Sequence, residues 1–267
     1  MKANKHIQRD EEANKIFDNR SLKKDYRHLI QILKPGMKVL DVGCGTGTIS
    51  KDIANIIGPK GKITGIDNTE NFILSGKKSY GNSVNLELIH VDLFDFHPNE
   101  KFDLIVSART LQWLSNPKEA LIKMKSLLKS NGQISILDYD HINMIWNPSP
   151  PESMQTFYNT FLKWRADAGM NNRIAEDLPN LFKEVGFHSI EKINSDEFYN
   201  KEDSNFKSKI SICSKVAGST QMVEEGYLDN NLRLKAIEEY YNWIETEAIS
   251  MTMKLNEVRG KNQSPQQ

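Results

Sequence analysis

Val39-Leu-Asp-Val-Gly-Cys-Gly-Thr-Gly47 is the stretch on which the fold turns. Val39 to Val42 is a short apolar run suited to burial on both faces of a sheet. Glycines at 43, 45 and 47 then turn the chain into residues 48–57, a helical pattern stopped by Gly58-Pro59. A strand, a glycine-rich turn and a helix in that order let a ligand approach the backbone closely, with the helix N–H groups directed at it. Alone, Gly-x-Gly is a weak signal, because ordinary turns use it freely.

The flanking sequence supplies the context. Runs at residues 62–67, 86–91, 102–106 and 133–137 read as further strands, with helical patterns at 68–78 and 118–128 between them and another at 22–33 ahead of the first strand. Such alternation predicts an α/β fold: a doubly wound, mostly parallel, Rossmann-like sheet with right-handed crossovers. After residue 140 the rhythm changes. Asn147-Pro-Ser-Pro-Pro151 breaks the chain; helices are expected over 152–168 and 178–185, a strand over 187–193, mostly helix over 200–248, and a last strand over 249–258. Seven strands are expected in all, with the helical insertions covering the carboxyl edge.

Composition narrows the function classes. With 35 Lys plus Arg against 35 Asp plus Glu in 267 residues, the chain lacks the basic excess of a nucleic-acid binder, and no nucleic-acid partner is expected. Cys44 and Cys213 make neither a disulfide framework nor a metal-ligand spacing. The polar first twelve residues do not resemble a signal peptide, and no run approaches the roughly 18 apolar residues of a membrane span. A cytoplasmic protein without membrane association is the default expectation; oligomeric state is not readable.

Asp67 closes the second strand, where a carboxylate can accept two hydrogen bonds from a ribose diol. The glycines run Gly43-x-Gly45-x-Gly47, unlike the dinucleotide fingerprint, and no Gly-Lys-Ser/Thr marks a P-loop. The run instead resembles motif I of the class I S-adenosylmethionine (SAM)-dependent methyltransferases, V-L-D-x-G-C-G-x-G, at every defined position. Asp67, Asp92-Leu93 and Phe102-Asp-Leu-Ile-Val-Ser107 fall in order as the family's later landmarks. The resemblance implies a cofactor site for SAM, with S-adenosylhomocysteine (SAH) as product. In it Asp41 orders the loop and the methionine ammonium region, and Gly43, Cys44 and Gly45 line the methionyl and ribose part. Asp67 would hold the ribose hydroxyls, Asn68 would lie beside the adenine, Asp92 would accept from the adenine amino group, and Leu93 would donate its backbone N–H. Ser107, Ala108 and Arg109 would flank the methionine and face the reacting centre.

The resemblance also divides the chain: flexible residues 1–15, a SAM-binding core over 16–138, a substrate-side insertion over 139–173, core again over 174–196, a helical cap over 197–248, a final strand over 249–260 and a flexible tail over 261–267. The second half is similar to a bacterial subgroup of small-molecule methyltransferases, through Trp146-Asn-Pro-Ser-Pro-Pro151, Phe161-Leu-Lys-Trp-Arg165 and Gln221-Met-Val-Glu-Glu-Gly226 among other pieces. Trp113, Trp146 and Tyr158 are the candidates for an acceptor pocket, whereas Phe157, Phe161 and Trp164 recur at helical spacing and suit a core.

Methyl transfer from a sulfonium is an in-line displacement that rests on positioning, and it needs a base only if the acceptor loses a proton. Arg109, Asp138, Tyr139, Asp140 and His141 follow strands four and five; His141 is the candidate base and Arg109 a candidate carboxylate binder. No metal-ligand spacing is present. The reading is methyl transfer to a small-molecule acceptor, oxygen or nitrogen ahead of carbon. Its rivals are a protein or RNA methyltransferase, a non-catalytic SAM-binding regulator and an oxidoreductase on the same sheet.

Overall fold

The computed structural model describes residues 20–263, so residues 1–15 and all but the first three residues of the 261–267 tail, both read as flexible, lie outside the described residues, while Lys261 ends a strand. A short helix α1 (Leu22–Asp25) and a 3-10 segment (Arg27–Ile32) lead into β1 (Lys38–Val42). Then come α2 (Thr48–Ile57), β2 (Lys62–Asp67), α3 (Glu70–Tyr80), β3 (Leu86–His90), β4 (Phe102–Ala108), α4 (Pro117–Leu127) and β5 (Leu128–Asn147). The second half holds α5 (Glu152–Asp167), α6 (Ile174–Val185), β6 (His188–Asn194) and β7 (Glu197–Asn200). After these follow α7 (Phe206–Ile210), α8 (Ile212–Gly218), α9 (Gln221–Glu224), α10 (Asn230–Thr246) and β8 (Ser250–Lys261).

Among the described residues the strands make one sheet of eight in the order β3-β2-β1-β4-β5-β8-β6, with β7 paired to β8. β1 to β5 are mutually parallel, and β8 runs antiparallel to its neighbours β5, β6 and β7. Apolar side chains on both faces of the central strands explain their burial. Leu40, Val42 and Ile105 enter one layer with α4 and α6; Val39, Leu104 and Val106 enter the other with α2. In α2 the buried Ile49, Ile53 and Ile57 repeat every fourth residue, and Gly58 stops the helix. A third core is built from α5 and the helices over 206–246; Trp113, beyond the carboxyl end of β4, packs against it, and Met253 joins it to the α2 side.

Three elements differ from the sequence expectation. Helix 22–33 is interrupted at Tyr26 (φ −149°), whose ring turns inward so that its hydroxyl donates to the Ser135 carbonyl at 2.7 Å. β5 continues well past residue 137, because β8 pairs with it from Gln133↔Lys261 to Asn147↔Ser250. The outer half of β8 also templates β7, an eighth strand within residues expected to be helical cap. Phe157, Phe161 and Trp164 are buried in the third core, as their spacing suggested.

Candidate functional site

The carboxyl ends of β1 to β4 converge on a cavity of about 550 Å³. Gly43 and Cys44 turn back over β2, both N–H groups donating to the Ile66 carbonyl. Gly43 takes φ +74°, and a Cβ there would meet Thr110 Oγ1 at 2.3 Å, so this corner admits only glycine. From the other side α3 presses against the loop through Gly76, where a Cβ would lie 2.4 Å from the Thr46 carbonyl oxygen. Asp67 locks the arrangement: its carboxylate accepts from Gly45 N at 3.0 Å and Thr69 N at 2.9 Å. These bonds fix the loop against β2 and α3.

Asp41 lines the cavity and is tied back to α2. It is buried, accepts from the Ser50 hydroxyl, and burial raises its pKa to about 6 despite that bond. Asp92 caps the 3-10 turn Leu93–Asp95 by accepting from Phe94 N at 3.0 Å, while also lining the cavity. Cys44 lines it too; burial pushes its thiol pKa well up, the opposite of an activated nucleophile.

Of the residues expected at the cofactor site, Asp41, Gly43, Cys44, Gly45, Asp67, Asn68, Asp92, Leu93, Ala108 and Arg109 all line the cavity. Ser107 does not: it is fully buried and its hydroxyl donates to the Val42 carbonyl at 2.7 Å, tying β4 to β1. Among the acceptor candidates Trp113 lines the cavity, whereas Trp146 and Tyr158 meet edge-to-face at 5.2 Å against the third core. His141 is also absent from the lining. Its Nε2–H donates to Gln112 Oε1, and burial with Arg165 nearby holds its pKa well below the usual imidazole range.

Arg109 sits just past β4 at φ +58°, buried, with Nε donating to the Tyr139 hydroxyl at 2.9 Å and Nη2 to Glu197 and the Asp25 carbonyl. Burial opposes its charge, but Tyr139, Glu197 and Asp25 outweigh that and raise its pKa. Its Nη1 is buried without a hydrogen-bond partner among the described residues. Sequence reasoning missed Arg20 and Thr110, which also line the cavity, and Gln112 and Arg165, which form a buried group beside it with Asp138, a residue already singled out after strand five. Asp138 accepts from Gln112 N and Tyr139 N, and burial raises its pKa to about 6. Only their proximity to the ends of strands four and five could have drawn attention to them. No three His, Cys, Asp or Glu side chains among the described residues group as a metal site, and no described helix is long and apolar enough to cross a membrane.

Residues 33–202 match the family model described as "Methyltransferase domain", well over half of the chain. The chain therefore belongs to that family: it is a class I, SAM-dependent methyltransferase. It is similar to the demethylmenaquinone methyltransferase of Staphylococcus aureus, 27% identical over 176 residues that span 59% of this chain and 70% of the relative. Its fold is shared with a SAM-dependent methyltransferase from Aquifex aeolicus (TM-score 0.55, 16% identity, 96% of this chain and all of the other). It is shared also with Haemonchus contortus phosphoethanolamine N-methyltransferase 2, a complex with phosphomonomethylethanolamine and SAH (TM-score 0.56, 15% identity, 95% of this chain and 53% of that one).

Proposed function

We propose that this enzyme methylates a small molecule, with SAM held along the ends of β1 to β4 and the acceptor entering beside Trp113. The observation that carries the reading is the single cavity joining Asp67, Asp92 and the glycine loop to Arg109, Thr110 and Trp113. The residues present fit the cofactor. Asp67 keeps acceptor capacity for two ribose hydroxyls beyond its two backbone bonds, since a carboxylate offers about four lone-pair sites. Asp92 and the Leu93 N–H suit the adenine edge, with Asn68 beside it. Arg109 Nη1, without a hydrogen-bond partner among the described residues, suits the carboxylate of an amino acid, and Arg20 lines the same cavity. SAM, when bound, supplies an electrophilic methyl on its sulfonium.

The chain's own contribution is then orientation and exclusion of water by the cap. His141 stands outside the cavity and bonded to Gln112, which favours an acceptor bringing its own lone pair, an amine or an acidic hydroxyl, over one the protein must deprotonate. This supports oxygen or nitrogen as the accepting atom, and the quinone in the S. aureus relative's name supports a small molecule as the acceptor.

Calorimetric titration of SAH into the full chain tests the cofactor half, and binding is expected. Incubation with methyl-labelled SAM and metabolite extracts tests the other half. Label in a small molecule is expected; label only in protein or RNA, or none despite SAH binding, would overturn the acceptor reading.

A further inference from the structure

Trp113 has two environments. It lines the cavity, and it packs against the third core beneath the cap. On it lies Arg165 of α5, with the guanidinium carbon 4.5 Å from the ring centroid. Arg165 is fully buried, is not part of the cavity lining and also lies 5.4 Å from the ring centroid of Phe161 in the third core, which puts it on the core side of the indole.

Its bonds are all to neutral acceptors: Nε to Asn172 Oδ1 at 2.7 Å, and Nη2 to the Gln112 carbonyl at 3.1 Å and Gln112 Oε1 at 3.2 Å. Nη1 has no hydrogen-bond partner among the described residues. Burial lowers the pKa of the guanidinium to about 10, which leaves it charged at neutral pH. Here, then, is a buried cation with no direct ion pair among the described residues, stabilised through space by the buried Asp138 carboxylate and held against an aromatic platform.

We propose that Arg165 makes Trp113 a selective platform, taking an electron-rich planar acceptor such as a hydroxyarene and rejecting a cationic acceptor of similar size. The inference rests on the cavity being the SAM and acceptor site argued above. An indole face attracts cations through its quadrupole, and Arg165 has already claimed that attraction from behind. A second cation stacked on the cavity face would meet the first across the ring in a poorly solvated setting, where like charges repel strongly. An electron-rich ring meets the opposite situation, stacking on an indole whose electron density is drawn toward Arg165. Charge in the rest of the cavity agrees. The carboxylates that line it, Asp41, Asp67, Glu70 and Asp92, all come from the β1 to β3 side, whereas the Trp113 side offers Arg109, Thr110 and Leu114.

The experiment uses two probes of one size, naphthalen-2-ol and 2-naphthylmethylammonium, titrated calorimetrically into the SAH-saturated full chain. Naphthalen-2-ol is expected to bind about ten-fold tighter or more, the scale of a single cation–π interaction. Arg165→Met, which keeps a similar stem without charge, is expected to shrink that gap to about three-fold or less. Trp113→Leu, at a half-buried position, is expected to weaken naphthalen-2-ol about ten-fold while SAH affinity stays within about two-fold. If Arg165→Met does not fold, Trp113→Leu and the wild-type gap decide the matter. Equal affinities in the wild type, an unchanged gap in Arg165→Met, or no effect of Trp113→Leu would each overturn the proposal. So would failure of naphthalen-2-ol to bind protein that binds SAH normally, leaving the cofactor reading standing. Failure of SAH itself to bind would instead strike that underlying reading.

Discussion

The two ends of the cavity are built differently. At the β1 to β3 end the working parts are backbone and short side chains: the Gly43 turn, the Gly45 N–H held by Asp67, and Asp92 capping its own turn. At the Trp113 end they are long side chains gathered from afar, with Arg165 arriving from α5 to meet Gln112 and Trp113, and Glu197 arriving from β7 to meet Arg109. Backbone at strand ends is fixed by the sheet itself, so the first end suits a ligand that never changes. Long side chains can be exchanged without disturbing the sheet, so the second end suits an acceptor that differs between relatives.

The sharpest way to break this contrast is to damage the backbone end alone. Gly43→Val must place a β-branched side chain at φ +74° and against Thr110, closing the turn. SAH affinity is expected to fall about 1,000-fold or more, and Asp67→Ala to cost about 100-fold through its lost charge-assisted bonds. Calorimetry reads both. Unchanged affinity in the two variants would remove the cofactor from this end altogether.

The same contrast explains what was legible in the sequence. β1, the glycine turn, Asp67 and Asp92 lie on elements whose local pattern alone locates them, and each falls where the topology brings strand ends together. Tyr26 broke the expected helix because a contact to Ser135, 109 residues away, outbid local propensity. β7 exists because β8 is long enough to template it, a property of the partner strand and not of residues 197–200. Arg165 entered the sequence reading only as the end of Phe161-Leu-Lys-Trp-Arg165, and its burial follows only once Gln112 and Asn172 are in place to receive it.

On the long-side-chain end, the joint between core and cap can be tested through stability. Arg109→Met would leave the largely buried Glu197 carboxylate without its direct ion-pair partner, and a loss of about 3 kcal/mol in denaturant unfolding is expected. Adding Glu197→Gln should recover part of that loss, because it removes the stranded charge. No recovery would mean that the pair does not act as a unit.

A smaller effect compares one buried carboxylate near each end. Asp41 and Asp138 both have folded-state pKa values of about 6, raised by burial from 3.8. Between those values the folded protein binds more protons than the unfolded chain, so each group lowers stability as pH rises from about 4 to about 6. Asp41→Asn and Asp138→Asn should each flatten that slope, by about 2 kcal/mol across the window, in melts at successive pH values. A slope unchanged in either variant would show that its carboxylate is not buried as described.

The smallest effect concerns His141, which separates an acceptor end that works by position from one that works by proton transfer. Its Nε2–H is committed to Gln112 Oε1, which Arg165 also donates to, and its pKa is held well below the imidazole range by burial and by that same guanidinium. The ring is therefore expected to stay neutral, with the proton on Nε2, throughout pH 6 to 8, as nitrogen-15 NMR of labelled histidine would show. His141→Gln should leave SAH affinity within about two-fold and cost about 1 kcal/mol of stability, the scale of one buried hydrogen bond. An imidazolium signal near pH 6.5 would mean that the ring reaches solvent or a carboxylate. Proton transfer would then return to an end of the cavity that the long side chains otherwise hold by geometry alone.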